Sequence, residues 1–344
     1  MNPLDILREN IKTLSPYSSA RDEYEGKTGV FLDANENPFT NGYNRYPDPM
    51  QWELKQKLAA IKKINPESIL LGNGSDEVID LLFRAFCKPG VDEVIVLPPT
   101  YGMYKVSASI NDIHLREVNL TRDFQIDVPA VVQEFDEHVK LLFICSPNNP
   151  SGNVIPKSQI EELLNSFKGI VVVDEAYIDF CPEYSTVPLL DKYPNLVVMQ
   201  TLSKAWGLAG ARVGIMIANP SIIRVMNKIK APYNLGIPAQ EIAMKRLDEV
   251  SKFEEEKKVV IVERKKLAME LTRLSFVEKV FPSDANFLLV RFSDSKKVFN
   301  YLINEKVIVR DRSSVVLCDD CLRISIGLPA ENAILLEKLK SLTN

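Results

Sequence analysis

The chain has 344 residues, 46% hydrophobic and 26% charged, with 42 basic against 46 acidic side chains and a net charge of −4. That balance argues against a broad nucleic-acid surface, and no run reaches the roughly eighteen apolar residues a membrane span needs. The length suits two domains, and the opening Met1-Asn2-Pro3-Leu4-Asp5-Ile6-Leu7 lacks the basic and apolar blocks of a signal peptide, so a cytoplasmic location is expected.

A first helix is expected from Pro3 to about Lys12, followed by a crossing segment rich in Pro, Ser and Gly that ends in the turn formers Asp33 to Phe39. From about Met50 the pattern alternates. Gln51 to Lys63 reads as a helix, Ser68 to Leu71 as a short strand, and Gly72-Asn73-Gly74-Ser75 as a turn. Asp76 to Cys87 has helical apolar spacing at Val78, Ile79, Leu81, Leu82 and Phe86. Apolar strands follow at Val94–Leu97 and Val139–Cys145, a helix at Ile160–Phe167, and strands at Ile170–Val173, Val197–Gln200 and Val213–Ile217. Apolar strands alternating with amphipathic helices imply an α/β layer fold with a mostly parallel central sheet.

Ile237 to about Thr272 is long, charged and helix-prone, and links to a smaller α+β domain. That domain has expected strands at Phe287–Val290, Val307–Val309 and Leu322–Ile326 and helices at Lys296–Asn304 and Ala330–Ser341. The division expected is an N-terminal segment over 1–45 packing with the small domain, a large domain over 46–240 and a small domain over 241–344. Cys318-Asp319-Asp320-Cys321 reads as a hairpin turn. A metal site would want a second such pair or several histidines, and only His114 and His138 exist, so no metal is expected.

The densest chemistry lies in Thr201-Leu202-Ser203-Lys204-Ala205-Trp206-Gly207-Leu208-Ala209-Gly210-Ala211-Arg212. A buried lysine amine can form a Schiff base with an aldehyde cofactor, and Ser203 and Arg212 are residue types that hold a phosphate. Upstream, Val171-Val172-Val173-Asp174-Glu175-Ala176-Tyr177 sets an acid after a run of β-branched residues, where it can pair with a protonated pyridine nitrogen. A lysine imine with a pyridinium partner is the binding signature of pyridoxal phosphate. Each motif alone is ordinary: a lysine after serine decorates many surfaces, and Val-Val-Val-Asp is usually a strand ending in a cap.

Other segments supply the remaining needs of such a site. Gly74-Ser75-Asp76 opens a helix whose free N–H groups suit a phosphate, although Ser75 alone is an ordinary cap. Tyr101 follows a strand and can stack on a planar ring, or simply cover the core. Asn149, in Ser146-Pro147-Asn148-Asn149-Pro150-Ser151-Gly152, and Tyr177 can donate to a phenolic oxygen.

This ordered set resembles the fold-type I aminotransferases of the class II subgroup. Leu14-Ser15-Pro16-Tyr17, Leu32-Asp33-Ala34-Asn35-Glu36-Asn37-Pro38, Asn44-Arg45-Tyr46-Pro47-Asp48-Pro49, Val309-Arg310-Asp311-Arg312 and Cys321-Leu322-Arg323-Ile324 narrow the resemblance to the group acting on histidinol phosphate and its close relatives. The resemblance covers essentially the whole chain. It implies Lys204 as the Schiff-base lysine and proton carrier, Asp174 at the pyridine nitrogen, and Tyr177 and Asn149 at the phenolic oxygen. It further implies Gly74, Ser75, Asp76, Ser203 and Arg212 at the phosphate and Tyr101 over the ring. Tyr46 matches a residue reaching the neighbouring subunit's site, so a homodimer with shared sites is implied. Arg310 and Arg323 match a pair gripping the substrate's anionic end, and Tyr17 and Asn35 line its ring pocket. Ser151 stands where threonine is common.

The substrates so implied are L-histidinol phosphate and 2-oxoglutarate or glutamate. Rivals on the same scaffold are an aromatic amino acid aminotransferase, a threonine-phosphate decarboxylase and a regulatory module without turnover. Arg310 or Arg312 could instead merely pair with Asp311, Asp319 or Asp320.

Overall fold

The computed structural model describes residues 2–15 and 29–342. Its helices are α1 (Glu9–Lys12), α2 (Trp52–Lys62), α3 (Gly74–Phe86), α4 (Met103–Ile110), α5 (Val128–Gln133), α6 (Lys157–Ser166), α7 (Pro220–Ile229), α8 (Ile237–Asp248), α9 (Val250–Leu271), α10 (Ser295–Asn304) and α11 (Pro329–Ser341). The strands are β1 (Ile69–Asn73), β2 (Glu93–Val96), β3 (His114–Glu117), β4 (Val139–Cys145), β5 (Ile170–Asp174), β6 (Leu196–Thr201) and β7 (Val213–Ala218), then β8 (Val277–Val280), β9 (Phe287–Phe292), β10 (Arg310–Asp311) and β11 (Cys321–Ser325).

The first seven strands form one sheet in the order β1-β7-β6-β5-β4-β2-β3. Strands β3, β2, β4, β5 and β6 run parallel, and β7 is antiparallel to both β6 and β1. The central strands read as unbroken apolar runs because both faces are covered. Successive side chains point to opposite faces, and the core divides accordingly. Leu142, Ile144, Val171, Val173 and Val198 pack on one side with Leu54 and Leu58 of α2 and Ile160 and Leu163 of α6. Leu141, Phe143, Ile170, Val172, Val197 and Met199 pack on the other with residues of α3, α4 and α7. This is the expected large layer with a mostly parallel sheet.

The last four strands form an antiparallel sheet in the order β10-β11-β9-β8, covered by α9, α10 and α11. It meets the large sheet through Phe287 and Ala285 against Tyr177 and Phe180. Asp284 N also donates to Gly152 O at 2.7 Å. That contact brings the chain entering β9 to the loop after β4, and Arg323 of the neighbouring β11 reaches Asn149 of the same loop.

Three expectations change. The first helix is only Glu9–Lys12, with turns over residues 3–6. Leu7 and Ile11 pack into the large-sheet core and Arg8 N donates to Ala85 O, so this stretch lies on the large domain, not on the small one. The strand expected at Val307–Val309 is displaced to Arg310–Asp311. Lys306 has φ +62 and Val307 N donates back to Leu302 O at 2.8 Å, so the chain is still closing α10 and the ladder starts opposite Arg323. The turn expected over Gly72-Asn73-Gly74-Ser75 is instead the end of β1 running into α3 at Gly74, while the stretch after Ile237 is helical as expected, in two pieces parted at Glu249.

Candidate active site

The carboxyl ends of parallel strands are where an α/β sheet leaves a crevice. Here Asp174 ends β5, Cys145 ends β4, and Thr201 ends β6 with Ser203 and Lys204 just beyond. With Ser75, Asp76, Tyr101, Asn149, Ala176, Tyr177 and Arg212 they line one cleft.

One end of the cleft is built for an anion. Gly74 starts α3 with φ +75, and a Cβ there would lie 2.3 Å from Arg212 Nη2. A Cβ on Gly214 would fall 2.4 Å from the Gly74 carbonyl carbon, so both glycines are needed for β7 to approach the start of α3. That approach sets the Arg212 guanidinium beside a helix N-terminus, where N–H groups and the helix dipole favour negative charge. Asp76 accepts from Arg212 Nη2 at 3.4 Å and from the Tyr101 hydroxyl at 3.2 Å. Its carboxylate therefore orients those two side chains, and its backbone faces the anion end.

The other end is built for a cation. Asp174 is 3% exposed. Its Oδ2 accepts from the Tyr104 hydroxyl at 2.6 Å and its Oδ1 from Ala176 N at 3.1 Å. Burial pushes its carboxyl up to about 6, opposed by the Tyr104 bond, the Ala176 amide and the charge of Lys204. No cation among the described residues lies within ion-pair distance of this carboxylate.

Lys204 lies between the two ends, its Nζ 5.6 Å from the Tyr177 ring centre. Desolvation first, then the positive charge of Arg323, holds its amine below the usual lysine range, while Asp174 acts the other way. The residue as a whole is exposed to solvent while lining the cleft. Asn149 Oδ1 accepts from Arg323 Nη1, which leaves the Asn149 amide hydrogens for the cleft. Tyr177, nearly buried against Phe287, keeps its phenol protonated because burial raises its proton affinity.

The small domain adds three arginines. Arg310 sits opposite Arg323 in the β10–β11 ladder, and Arg312 follows two residues on, so alternation puts all three on one face. Among the described residues none of them makes an ion pair to a carboxylate. Asp311 instead accepts from Ser313 N, and Asp320 from Ser295. Arg312 Nε is buried and without a partner, and burial followed by the charges of Arg323 and Arg310 lowers the proton affinity of its guanidinium.

The structure thus gathers Ser75, Asp76, Tyr101, Asn149, Asp174, Tyr177, Ser203, Lys204 and Arg212 in one cleft, with Gly74 beneath and Arg323 adjoining. It does not bring Asn35 there: that residue is exposed on a turn with φ +53. Tyr46 stacks on Tyr233 at 4.5 Å, away from the cleft of its own chain. Tyr17 lies outside the described residues. Sequence reading missed Tyr104, whose only signal was its place three residues after Tyr101 at a helix start. It also missed Glu175, a buried carboxylate accepting from Ser185, Thr186 and Gln200 that ties β5 to β6.

The residues fit a planar, phosphorylated pyridine aldehyde. An anion cradle and a buried carboxylate lacking a cation lie in one cleft, with an amine of lowered proton affinity in the same cleft. The family of aminotransferases class I and II matches residues 30–339. A histidinol-phosphate aminotransferase of Cytophaga hutchinsonii is 52% identical over 98% of both chains. The structure of the histidinol-phosphate aminotransferase from Clostridium acetobutylicum superposes with a TM-score of 0.80 at 26% identity, over 87% of this chain and 90% of that one. That of the Sinorhizobium meliloti enzyme, solved in complex with pyridoxal-5'-phosphate, has a TM-score of 0.79 over 87% of this chain and 84% of that one; at 23% identity it speaks for the fold.

Proposed function

The chain belongs to the class I and II aminotransferases and within them to the histidinol-phosphate aminotransferases, and from that premise we propose that it moves an amino group between L-histidinol phosphate and 2-oxoglutarate in histidine biosynthesis. The products are imidazole acetol phosphate and glutamate, and the cofactor is pyridoxal phosphate. The observation that carries the reading is the pairing, in one cleft, of the buried Asp174 carboxylate with the Lys204 amine of lowered proton affinity.

Pyridoxal phosphate, when bound, supplies an aldehyde for the amine and a cationic ring that draws electrons from the bond to be broken. The residues of this chain do the rest. The start of α3, Ser75, Ser203 and Arg212 hold the phosphate. Asp174 keeps a proton on the pyridine nitrogen, Tyr101 covers the ring face, and Asn149 and Tyr177 donate to the phenolic oxygen. Lys204 Nζ takes the proton from the carbon bearing the amine and returns it two bonds away, to the carbon on the other side of the nitrogen; an amine with lowered proton affinity is suited to both tasks at neutral pH. Arg310 and Arg323 grip the substrate phosphate in one half-reaction and a glutamate carboxylate in the other.

A cytoplasmic homodimer completes the proposal. Among the described residues no helix is long and apolar enough to cross a membrane. Val30, Leu32 and Phe39 are more than 80% exposed, which supports a second copy covering this segment. Tyr46, on the same exposed stretch, serves the neighbour's phosphate site in this proposal.

Mixing the cofactor-loaded protein with single amines in a stopped-flow absorbance experiment tests the reading. L-histidinol phosphate is expected to convert the cofactor rapidly to its amine form, and 2-oxoglutarate to restore it. Equal or faster conversion by L-phenylalanine would hand the site to aromatic amino acids. Release of CO2 from L-threonine O-phosphate without 2-oxoglutarate would make it a decarboxylase.

A further inference from the structure

Two tyrosines, Tyr101 and Tyr104, stand at the entry to α4, and each reaches a different carboxylate. Tyr101 donates to Asp76 at the anion end and Tyr104 to Asp174 at the cation end. Tyr101 lies two residues before α4 and Tyr104 in its first turn, and their rings meet edge to face at 5.6 Å. Tyr104 is fully buried, stacked at 4.8 Å on Phe143, which in turn packs on Phe83 at 5.5 Å. A ring held this way cannot swing, so its hydroxyl stays aimed at one oxygen. Burial and the neighbouring Asp174 keep the phenol protonated, which makes it a donor to that carboxylate.

We propose that Tyr104 is a positioning residue of the cofactor site, whose hydroxyl fixes the orientation and favours the ionised form of the carboxylate that faces the pyridine nitrogen. Among the described residues Asp174 has two hydrogen-bond donors, Tyr104 and the Ala176 amide, against near-complete burial. Of the influences opposing burial on this carboxyl, the Tyr104 bond is the largest. The other titratable groups facing it are Lys204 beyond β6, Asp76 on α3, Cys145 at the end of β4, and Tyr101 and Tyr177. Lys204 alone among these is a cation. Without the tyrosine hydroxyl, the proton affinity of Asp174 rises, and the acid side of cofactor binding moves to higher pH. The inference rests on the reading that Asp174 meets the pyridine nitrogen.

The test uses Tyr104→Phe, which keeps the stacked ring, beside Asp174→Asn and Phe143→Leu. Two quantities are read: the dissociation constant of pyridoxal phosphate against pH, by fluorescence titration, and the Asp174 carboxyl titration in cofactor-free protein, by ¹³C NMR. For Tyr104→Phe the dissociation constant is expected to rise about tenfold or more at neutral pH, and the carboxyl to titrate about one pH unit higher. Phe143→Leu is expected to lower the melting temperature and leave the titration in place. If Tyr104→Phe moves neither quantity while Asp174→Asn weakens binding, the inference falls and the reading of Asp174 stands. If Phe143→Leu moves the titration as far as Tyr104→Phe does, packing and not the hydroxyl is responsible, and the inference also falls. If Asp174→Asn leaves binding unchanged, the reading of Asp174 is what fails. Should Tyr104→Phe not fold, 3-fluorotyrosine at 104, a more acidic phenol and stronger donor, is expected to shift the Asp174 titration downward; no shift overturns the inference.

Discussion

The two sides of the cleft are made of opposite materials. On the large domain, Asp174 is sealed in at the end of a strand and held by two donors from the protein. On the small domain, Arg310, Arg312 and Arg323 share one face of a two-strand ladder with, among the described residues, no carboxylate paired to them. The first side is organised before any ligand arrives. The second is a concentration of like charge that becomes favourable only when an anion sits in it. A chain that must keep one cofactor and exchange two substrates has reason to be rigid at one side and unsatisfied at the other.

Arg323 belongs to both sides, since it donates to Asn149 and lies 5.3 Å over the Phe287 ring. Replacing it is therefore expected to give the largest loss. Arg323→Gln should lower kcat/KM for histidinol phosphate more than 100-fold, about 3 kcal/mol, and weaken glutamate as well. A steady-state comparison of both substrates checks this. A loss confined to histidinol phosphate would separate the two sides more sharply than the contacts suggest.

The next effect is on stability and has an unusual sign. The folded-state affinity of Asp174 for its proton is raised, from an ordinary carboxyl value to about 6. The folded protein then binds that proton more tightly than the unfolded chain, so the group's contribution falls as pH rises from about 4 to about 6 and stays unfavourable above. Asp174→Asn, free of cofactor, is expected to be more stable than the parent at pH 7.5 by roughly 2 kcal/mol, with the difference vanishing below pH 4. Urea unfolding at the two pH values measures it. A less stable variant at pH 7.5 would mean the carboxylate's two hydrogen bonds outweigh its burial, and would weaken the contrast between a cofactor side made for a cation and an ordinary buried acid.

The smallest effect concerns Arg312, which reaches the ligand's charge through space. Arg312→Gln should cut kcat/KM for histidinol phosphate about fivefold and leave L-phenylalanine within twofold. Equal losses on both amines would show that Arg312 supports the ladder and not the anion.

Much of this molecule was legible before its structure. Strands buried on both faces announce themselves by unbroken apolar runs, and Val139–Cys145 matches its observed bounds. The edge strand β3, His114-Leu115-Arg116-Glu117, has one apolar residue in four, so neither alternation nor a run betrays it. Asp174, Asn149 and Lys204 stood out because each sits where a strand gives way to a loop, and Arg212 because it lies where the loop after Lys204 enters the next strand. Tyr104 could not be read in the same way. Its partner is 70 positions away, and in sequence a tyrosine on an apolar helix face looks like core. The N-terminal segment was the least legible. Its Val30, Leu32 and Phe39 are exposed in a single chain, and nothing local fixes what should cover them.

Among the described residues three lysines have lowered proton affinity: Lys204, Lys230, and Lys55, which is brought to about 8 by burial and by the charge of Lys230. Lys230 is tied to Pro49 O and Asn234 Oδ1 at 3.0 Å, and neither Lys55 nor Lys230 lines the cleft of Asp174. The most direct test of the account is to reduce the cofactor-loaded protein with borohydride and map the modified peptide by mass spectrometry. The pyridoxyl group is predicted on Lys204 alone, and it should be lost in Lys204→Ala. Label on Lys55 or Lys230 in the parent protein would contradict the assignment of the cleft.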